Sequence, residues 1–113
     1  MHELSVTEEM LRIATQHAQE AQAKRITSIH LVVGDLSSIV DDSVQFYFDF
    51  LSKGTIAEGA RLRFTRVAPR LRCRKCGGEF AMRPMDWTCP HCGAAGGDVV
   101  AGREFYLDAI EVE

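Results

Sequence analysis

The 113-residue sequence predicts an α+β fold: two helices packed on a small mixed β-sheet, with a short module inserted before the last strand. Three observations predict it. Apolar residues recur at helical spacing near the start and again over residues 44–51. Runs with β alternation lie between and after them. All four cysteines fall in two C-x-x-C pairs, Cys73–Cys76 and Cys89–Cys92, with twelve residues between the pairs. That spacing gathers four thiolates into one tetrahedron, the geometry of a structural zinc site, so the inserted module is a zinc ribbon.

The first helix is placed by Ser5-Val6-Thr7-Glu8, a capping box with Ser5 as cap and Glu8 at N3. Met10, Leu11, Ala14, Ala18 and Ala21 follow at helical spacing, and the helix is expected to end near Ala23 or Lys24. Met1 to Leu4 are then a short segment leading into the cap. Residues 26–34 are β-rich: Ile29, Leu31 and Val33 alternate, and Gly34-Asp35 closes the run. His30 inside this strand reads as a surface or packed histidine rather than a ligand. A second helix is expected from about Asp42 to Lys53, capped by Asp41 or Asp42 and ended by Gly54 at C′. Val44, Tyr47, Phe48 and Leu51 share its inner face, and Phe46 and Phe50 are expected to widen that face as core.

A strand from Arg61 to Val67 leads into the cysteines, and residues 104–113 form a closing strand. These two strands can share a sheet. The chain thus divides into an α+β domain, residues 1–68 and 98–113, and a ribbon module, residues 69–97, with Pro69 and Ala94-Ala95-Gly96-Gly97 near the joints. The module is too short to bury a core, so metal must hold it together. Trp87, Phe80, Met82 and Met85 are expected to pack beside the metal. Gly77 and Gly93 follow the two cysteine pairs, where a tight knuckle turn needs φ > 0.

Two other readings of the cysteines are less favoured. Disulfides need an oxidising compartment. The first residues lack the basic and apolar regions of a signal peptide, and no run of about 18 apolar residues is present to span a membrane. A rubredoxin-like iron site needs a longer separation between its pairs. The expected setting is the cytoplasm.

Charge is uneven. Residues 1–60 carry a net −5, and residues 61–97 a net +6 from Arg61, Arg63, Arg66, Arg70, Arg72, Arg74, Lys75 and Arg83 against two acids. A basic stripe beside a zinc ribbon makes a nucleic-acid-binding protein the alternative reading. Against it stand the acidic first half and the lack of aromatic residues between the arginines. Nothing reads as an enzyme: a four-cysteine zinc has no open position, and no nucleophile–base pair or phosphate-binding glycine loop is present.

The start of the chain, Met1-His2-Glu3, offers a second metal site. The α-amine has a pKa of about 7.7–8.0, so it can be free of its proton near neutral pH. The amine, the His2 backbone nitrogen and the His2 imidazole can close fused chelate rings around one ion, and such nitrogen donation selects Ni(II) or Cu(II). Glu3 can add a backbone nitrogen or a carboxylate that orients His2. Taken alone, a histidine at position 2 is more often part of a frayed terminus.

Met1-His2-Glu3-Leu4-Ser5, Gly34-Asp35-Leu36, the run from Gly54 to Leu62, the two C-x-x-C pairs and the closing Ile110-Glu111-Val112 together resemble the HypA/HybF family of hydrogenase nickel-incorporation proteins. The likeness covers essentially the whole chain. It implies a nickel metallochaperone that delivers Ni(II) to the [NiFe] hydrogenase large subunit with a HypB-type GTPase, and in some relatives serves urease. By that match His2 is the nickel ligand, completed by the Met1 amine and Glu3. Cys73, Cys76, Cys89 and Cys92 hold structural zinc.

Overall fold

The computed structural model describes residues 2–113, and of His2 only the backbone. The elements run α1 (His2–Glu20), β1 (Ile26–Gly34), α2 (Asp41–Leu51), β2 (Arg61–Val67), β3 (Arg70–Arg72), β4 (Glu79–Ala81), β5 (Asp98–Ala101) and β6 (Phe105–Val112). They build two separate three-stranded sheets, ordered β2-β1-β6 and β4-β3-β5. The molecule is elongated, 54 × 27 × 17 Å with a radius of gyration of 17.8 Å. A compact chain of this length has a radius of about 13 Å, so the two sheets form two lobes rather than one ball.

In the larger lobe β1 pairs in parallel with β2 and antiparallel with β6. The parallel pair needs a crossover, and α2 supplies it. Met10, Ala14 and Ala18 of α1 and Val44 and Phe48 of α2 bury against Ile29, Leu31 and Val33 of β1 and Leu62 of β2. β1 is the central strand, flanked by β2 and β6 and covered on one face by this core, so it is buried along nearly its whole length, while the edge strand β2 alternates. The uncovered face carries His30, Arg63, Thr65 and Tyr106 in neighbouring register. His30 is held there by local partners, Nδ1 3.3 Å from the Asp108 carboxylate and Nε2 2.6 Å from the Thr65 hydroxyl.

Four helix boundaries differ from the sequence reading. Helix α1 starts at His2, three residues before the expected cap, so His2 to Leu4 are helical rather than a segment leading into the cap, and Met1 lies outside the described residues. The Thr7 hydroxyl donates to the Glu3 carbonyl four residues back, which holds the first turn helical. The Glu3 carboxylate anchors that turn by accepting the Val40 N–H, a contact too distant in sequence to read. At the other end α1 stops at Glu20 because Gln22 takes a left-handed φ of 57°. The Gln22 N–H then reaches Gln19 and the Ala23 N–H reaches Ala18, a Schellman-type ending with Ala23 packed on the core. Neither Asp41 nor Asp42 caps α2. The N-cap is Val40, with no side-chain cap bond, and Asp41 lies in the first turn bound to Arg66. Ser52 closes α2, ahead of the expected Gly54.

The aromatic face of α2 also differs. Val44 and Phe48 are buried, but Phe46 is 68% and Phe50 71% exposed. The core under α2 is filled by the β1 side chains and by α1, which leaves no room for a second aromatic row.

The lobes meet where backbones cross closely. The Gly34 N–H donates to Glu104 and the Leu36 N–H to Gly102, both at 2.6 Å. A Cβ on Gly34 would lie 2.1 Å from the Gly102 carbonyl oxygen, inside any tolerable contact. Gly34→Ala is therefore expected to destabilise the fold by about 3 kcal/mol and lower Tm by roughly 10 °C, measured by thermal unfolding followed by far-UV circular dichroism. An unchanged Tm would show that the crossing is loose.

Candidate metal centre

The smaller lobe is built around the cysteines. β3 pairs antiparallel with both β4 and β5. Its apolar content is small: Leu71, Phe80, Cys73 and Cys89 are buried, with Met82, Ala94 and Val99 packed against them. Phe80 and Met82 thus take the places the sequence predicts. Met85 and Trp87 do not. Met85 sits fully exposed at a left-handed φ of 62°, and Trp87 is 56% exposed. The Arg83–Asp86 turn carries them outward, away from a core already filled by Leu71 and Phe80.

Two knuckles of matching construction present the sulfurs. The Gly77 N–H donates to the Cys73 carbonyl and the Gly93 N–H to the Cys89 carbonyl, each at 2.9 Å. The Cys73 N–H donates to Gly78, and the Cys89 N–H to Ala94. Gly77 and Gly93 have φ of 76° and 78°, the left-handed conformation that a side chain would strain.

The four Sγ atoms lie within 4.8 Å of one another, with Cys73–Cys92 at 3.5 Å and Cys76–Cys89 at 3.7 Å. A tetrahedral thiolate site with metal–sulfur bonds of about 2.3 Å has edges of about 3.8 Å, so the donor set fits zinc. Cys73 and Cys89 are buried, whereas Cys76 and Cys92 are exposed.

The electrostatics prepare one thiolate before any cation arrives. Backbone N–H groups of Cys76 and Lys75 point at the Cys73 sulfur and draw its pKa down to about 6. Cys92 moves the other way, to about 11. The Ala94 N–H favours its thiolate, but the neighbouring Cys73 sulfur, burial and the other two cysteines outweigh that. A dication among the four removes this conflict, because each thiolate then faces positive charge. The sulfur-facing amides of Lys75 and Cys76 leave no side-chain pattern in the sequence. Gly78, by contrast, is legible afterwards: a Cβ there would lie 3.0 Å from the His91 ring.

The other predicted residues, Met1, His2 and Glu3, are at the start of the chain. Met1 and the His2 side chain fall outside the described residues. Glu3 is half-buried in the first turn of α1, with its carboxylate 3.3 Å from the Val40 nitrogen. The segment that receives it is itself fixed. Arg66 donates to the Asp35 and Asp41 carboxylates at 2.9 and 2.8 Å and to the Ile39 carbonyl at 3.2 Å. The loop over residues 35–40 thus ties the start of α1 to the crossing between the lobes. Neither the Val40 anchor nor the Arg66 clamp has a local sequence signal.

Most of the basic stripe is engaged within the protein. Arg66 pairs with Asp35 and Asp41, Arg70 and Arg72 with Glu79, Arg74 with Asp98, and Arg83 with Asp86.

Comparison with known proteins agrees with this arrangement. Residues 1–112 match the family model described as HypA, hydrogenase/urease nickel incorporation, metallochaperone. The chain is 44% identical over 113 residues to a hydrogenase maturation factor HypA of Dehalococcoides mccartyi, covering all of this chain and 95% of that one. It is 41% identical over 113 residues to the factor of the same name from Geotalea uraniireducens, with both chains fully covered. The fold resembles a solution structure of a HypA protein, at TM-score 0.79 and 23% identity, covering 100% of this chain and 97% of that one. It also resembles the solution structure of the Ni metallochaperone HypA from Helicobacter pylori, at TM-score 0.69 and 22% identity, covering 99% and 97%. No described helix is long and apolar enough to cross a membrane. With a four-thiolate centre in its smaller lobe and a family match over residues 1–112, the chain belongs to the HypA family of hydrogenase and urease nickel-incorporation metallochaperones.

Proposed function

We propose that this protein carries Ni(II) at its N-terminus and delivers it during maturation of [NiFe] hydrogenase. The full-length family match carries the reading. The Met1 amine, the His2 backbone nitrogen and imidazole, and Glu3 are the proposed nickel ligands. The helical start at His2 supports them physically: the first N–H groups of a helix have no partner within it, so these nitrogens can bind metal without breaking a helix bond. Glu3 already accepts the Val40 N–H, which suits it to orient the first turn while its backbone nitrogen faces the ion.

The two metals have different tasks in this reading. Cys73, Cys76, Cys89 and Cys92 hold a resident zinc that organises the ribbon between the two parts of the nickel-binding domain; the expected boundary at residue 97 falls short, because β5 (Asp98–Ala101) pairs with β3 and belongs to the ribbon. A filled thiolate tetrahedron offers no open position for chemistry, so the protein is a carrier and not an enzyme. A short terminal chelate can release its ion to an acceptor. The proposed partners are a HypB-type GTPase and the hydrogenase large subunit, met in the cytoplasm, with no role for nucleic acid or a membrane. The internal pairing of Arg66, Arg70, Arg72, Arg74 and Arg83 speaks for this over the nucleic-acid alternative.

The cellular test replaces His2 by Ala in the native gene. Hydrogenase activity is expected to fall to the level of a gene deletion and to recover in part with excess nickel in the medium. Full activity of the variant at limiting nickel refutes the assignment.

A further inference from the structure

We propose that the outer face of α2, carrying Asp42, Phe46, Asp49 and Phe50, is the docking surface for a protein partner that presents an apolar pocket rimmed by Arg or Lys. The proposal rests on the nickel-delivery reading and adds the surface by which an acceptor is engaged.

The helix has two faces with different burdens. Val44 and Phe48 serve the core of the larger lobe. Phe46 and Phe50, four residues apart, stand outward on one ridge and serve no core among the described residues. Large exposed apolar groups gathered into one patch, unlike ones scattered singly, mark interaction sites. An aromatic pair at this spacing is the anchor pattern of a helix laid into a groove.

The flanking charges specify the partner. Asp42 and Asp49 fall on the same ridge by helical spacing and are exposed. Among the described residues neither forms an ion pair, although most of the arginines elsewhere are paired, and Asp49 accepts the Gln45 amide. Lys53 closes the far end of the ridge. Unpaired carboxylates around two aromatic rings favour a groove with cationic edges and repel one with acidic edges. The apolar groove that this chain itself offers, between α1 and β6, has Glu9 and Asp108 among its lining residues, so it is the wrong sign for the ridge.

The position suits delivery. The ridge begins two residues past Val40, the residue that anchors Glu3 at the start of α1. At 1.5 Å per residue, Phe46 lies about 9 Å and Phe50 about 15 Å along the helix from that anchor. A partner seated on the ridge is therefore brought beside the N-terminus that carries the cargo.

The test uses the full chain with zinc bound and two purified probes, the GTPase and the large subunit proposed as partners. Affinity is measured by calorimetry for wild type, Phe46→Ala/Phe50→Ala and Asp42→Lys/Asp49→Lys. The aromatic double variant is expected to bind at least one probe about 30-fold or more weakly, as buried aromatic anchors do. The charge-reversed variant is expected to bind that probe more weakly too, with the difference shrinking as salt rises. Nickel stoichiometry, zinc content and Tm should stay at wild-type values, since none of the four side chains enters the core or either metal site. Unchanged affinity of both variants for both probes overturns the proposal, as does a wild-type chain that binds neither. A wild-type dimer that Phe46→Ala/Phe50→Ala converts to monomer also overturns it, because the ridge then covers a second copy. Failure of wild type to bind nickel at its N-terminus sinks the delivery reading instead, a result the same titrations separate from loss of docking.

Discussion

One glycine added ahead of Met1 is expected to weaken nickel binding by about 100-fold or more while leaving every side chain in place. Losing a hydrogen-bond partner behind a metal ligand already costs about 10–100-fold, and a displaced amine is a lost ligand. The helix starts at His2, and the first N–H groups of a helix have no partner within it, so an added residue breaks no backbone bond within the helix. The Thr7–Glu3 and Glu3–Val40 contacts that hold the first turn remain. His2→Ala keeps the amine and removes the imidazole, and is expected to lose affinity to a similar degree. Glu3→Gln keeps an acceptor for the Val40 N–H but not the charge. It should lose little if Glu3 acts mainly by orienting the turn. Calorimetric titration of the four proteins with Ni(II) checks this. If the extended chain binds as tightly as wild type, the amine is not a ligand. If His2→Ala does as well, the nickel site lies elsewhere.

Cys73→Ala is expected to unfold the smaller lobe and spare the larger one. Structural zinc contributes about 10–16 kcal/mol at such sites, far more than the other contacts here can replace. Apart from Cys73 and Cys89, only Leu71 and Phe80 are fully buried in that lobe. Amide exchange in β3, β4 and β5 should approach the rate of unprotected chain. β1 and β2, buried under α1 and α2, should keep their protection. Zinc content should fall well below the wild-type level of about one per chain. Retained protection across β3–β5 in a zinc-free variant would show that the lobe folds without metal.

Much of this architecture was legible because its signals are local or chemical. Alternation bounded β1 at Ile26–Gly34 and β2 at Arg61–Val67. The cysteine spacing announced a tetrahedron that the sulfurs do form. What escaped depends on contacts distant in sequence. The capping box pointed to Ser5, but the Glu3–Val40 bond draws the helix start back to His2. Hydrophobic content predicted Phe46, Phe50, Met85 and Trp87 as interior, yet a small core has room for few aromatic rings, and all four are exposed. The ribbon segment was legible from its cysteines, but nothing local marked Asp98–Ala101 as a strand that completes its sheet against β3.

The register of the larger sheet has a modular consequence. Val67, where the chain leaves for the ribbon, lies level with Gly34, and Phe105, where it returns, lies level with Val33. Exit and return therefore flank a single strand, two strand spacings or about 10 Å apart. A loop of a few residues could bridge that gap over the end of β1. The ribbon is thus removable in principle: a trimmed chain could still close its three-stranded sheet, and a different module could be spliced into the same gap without redrawing the helices.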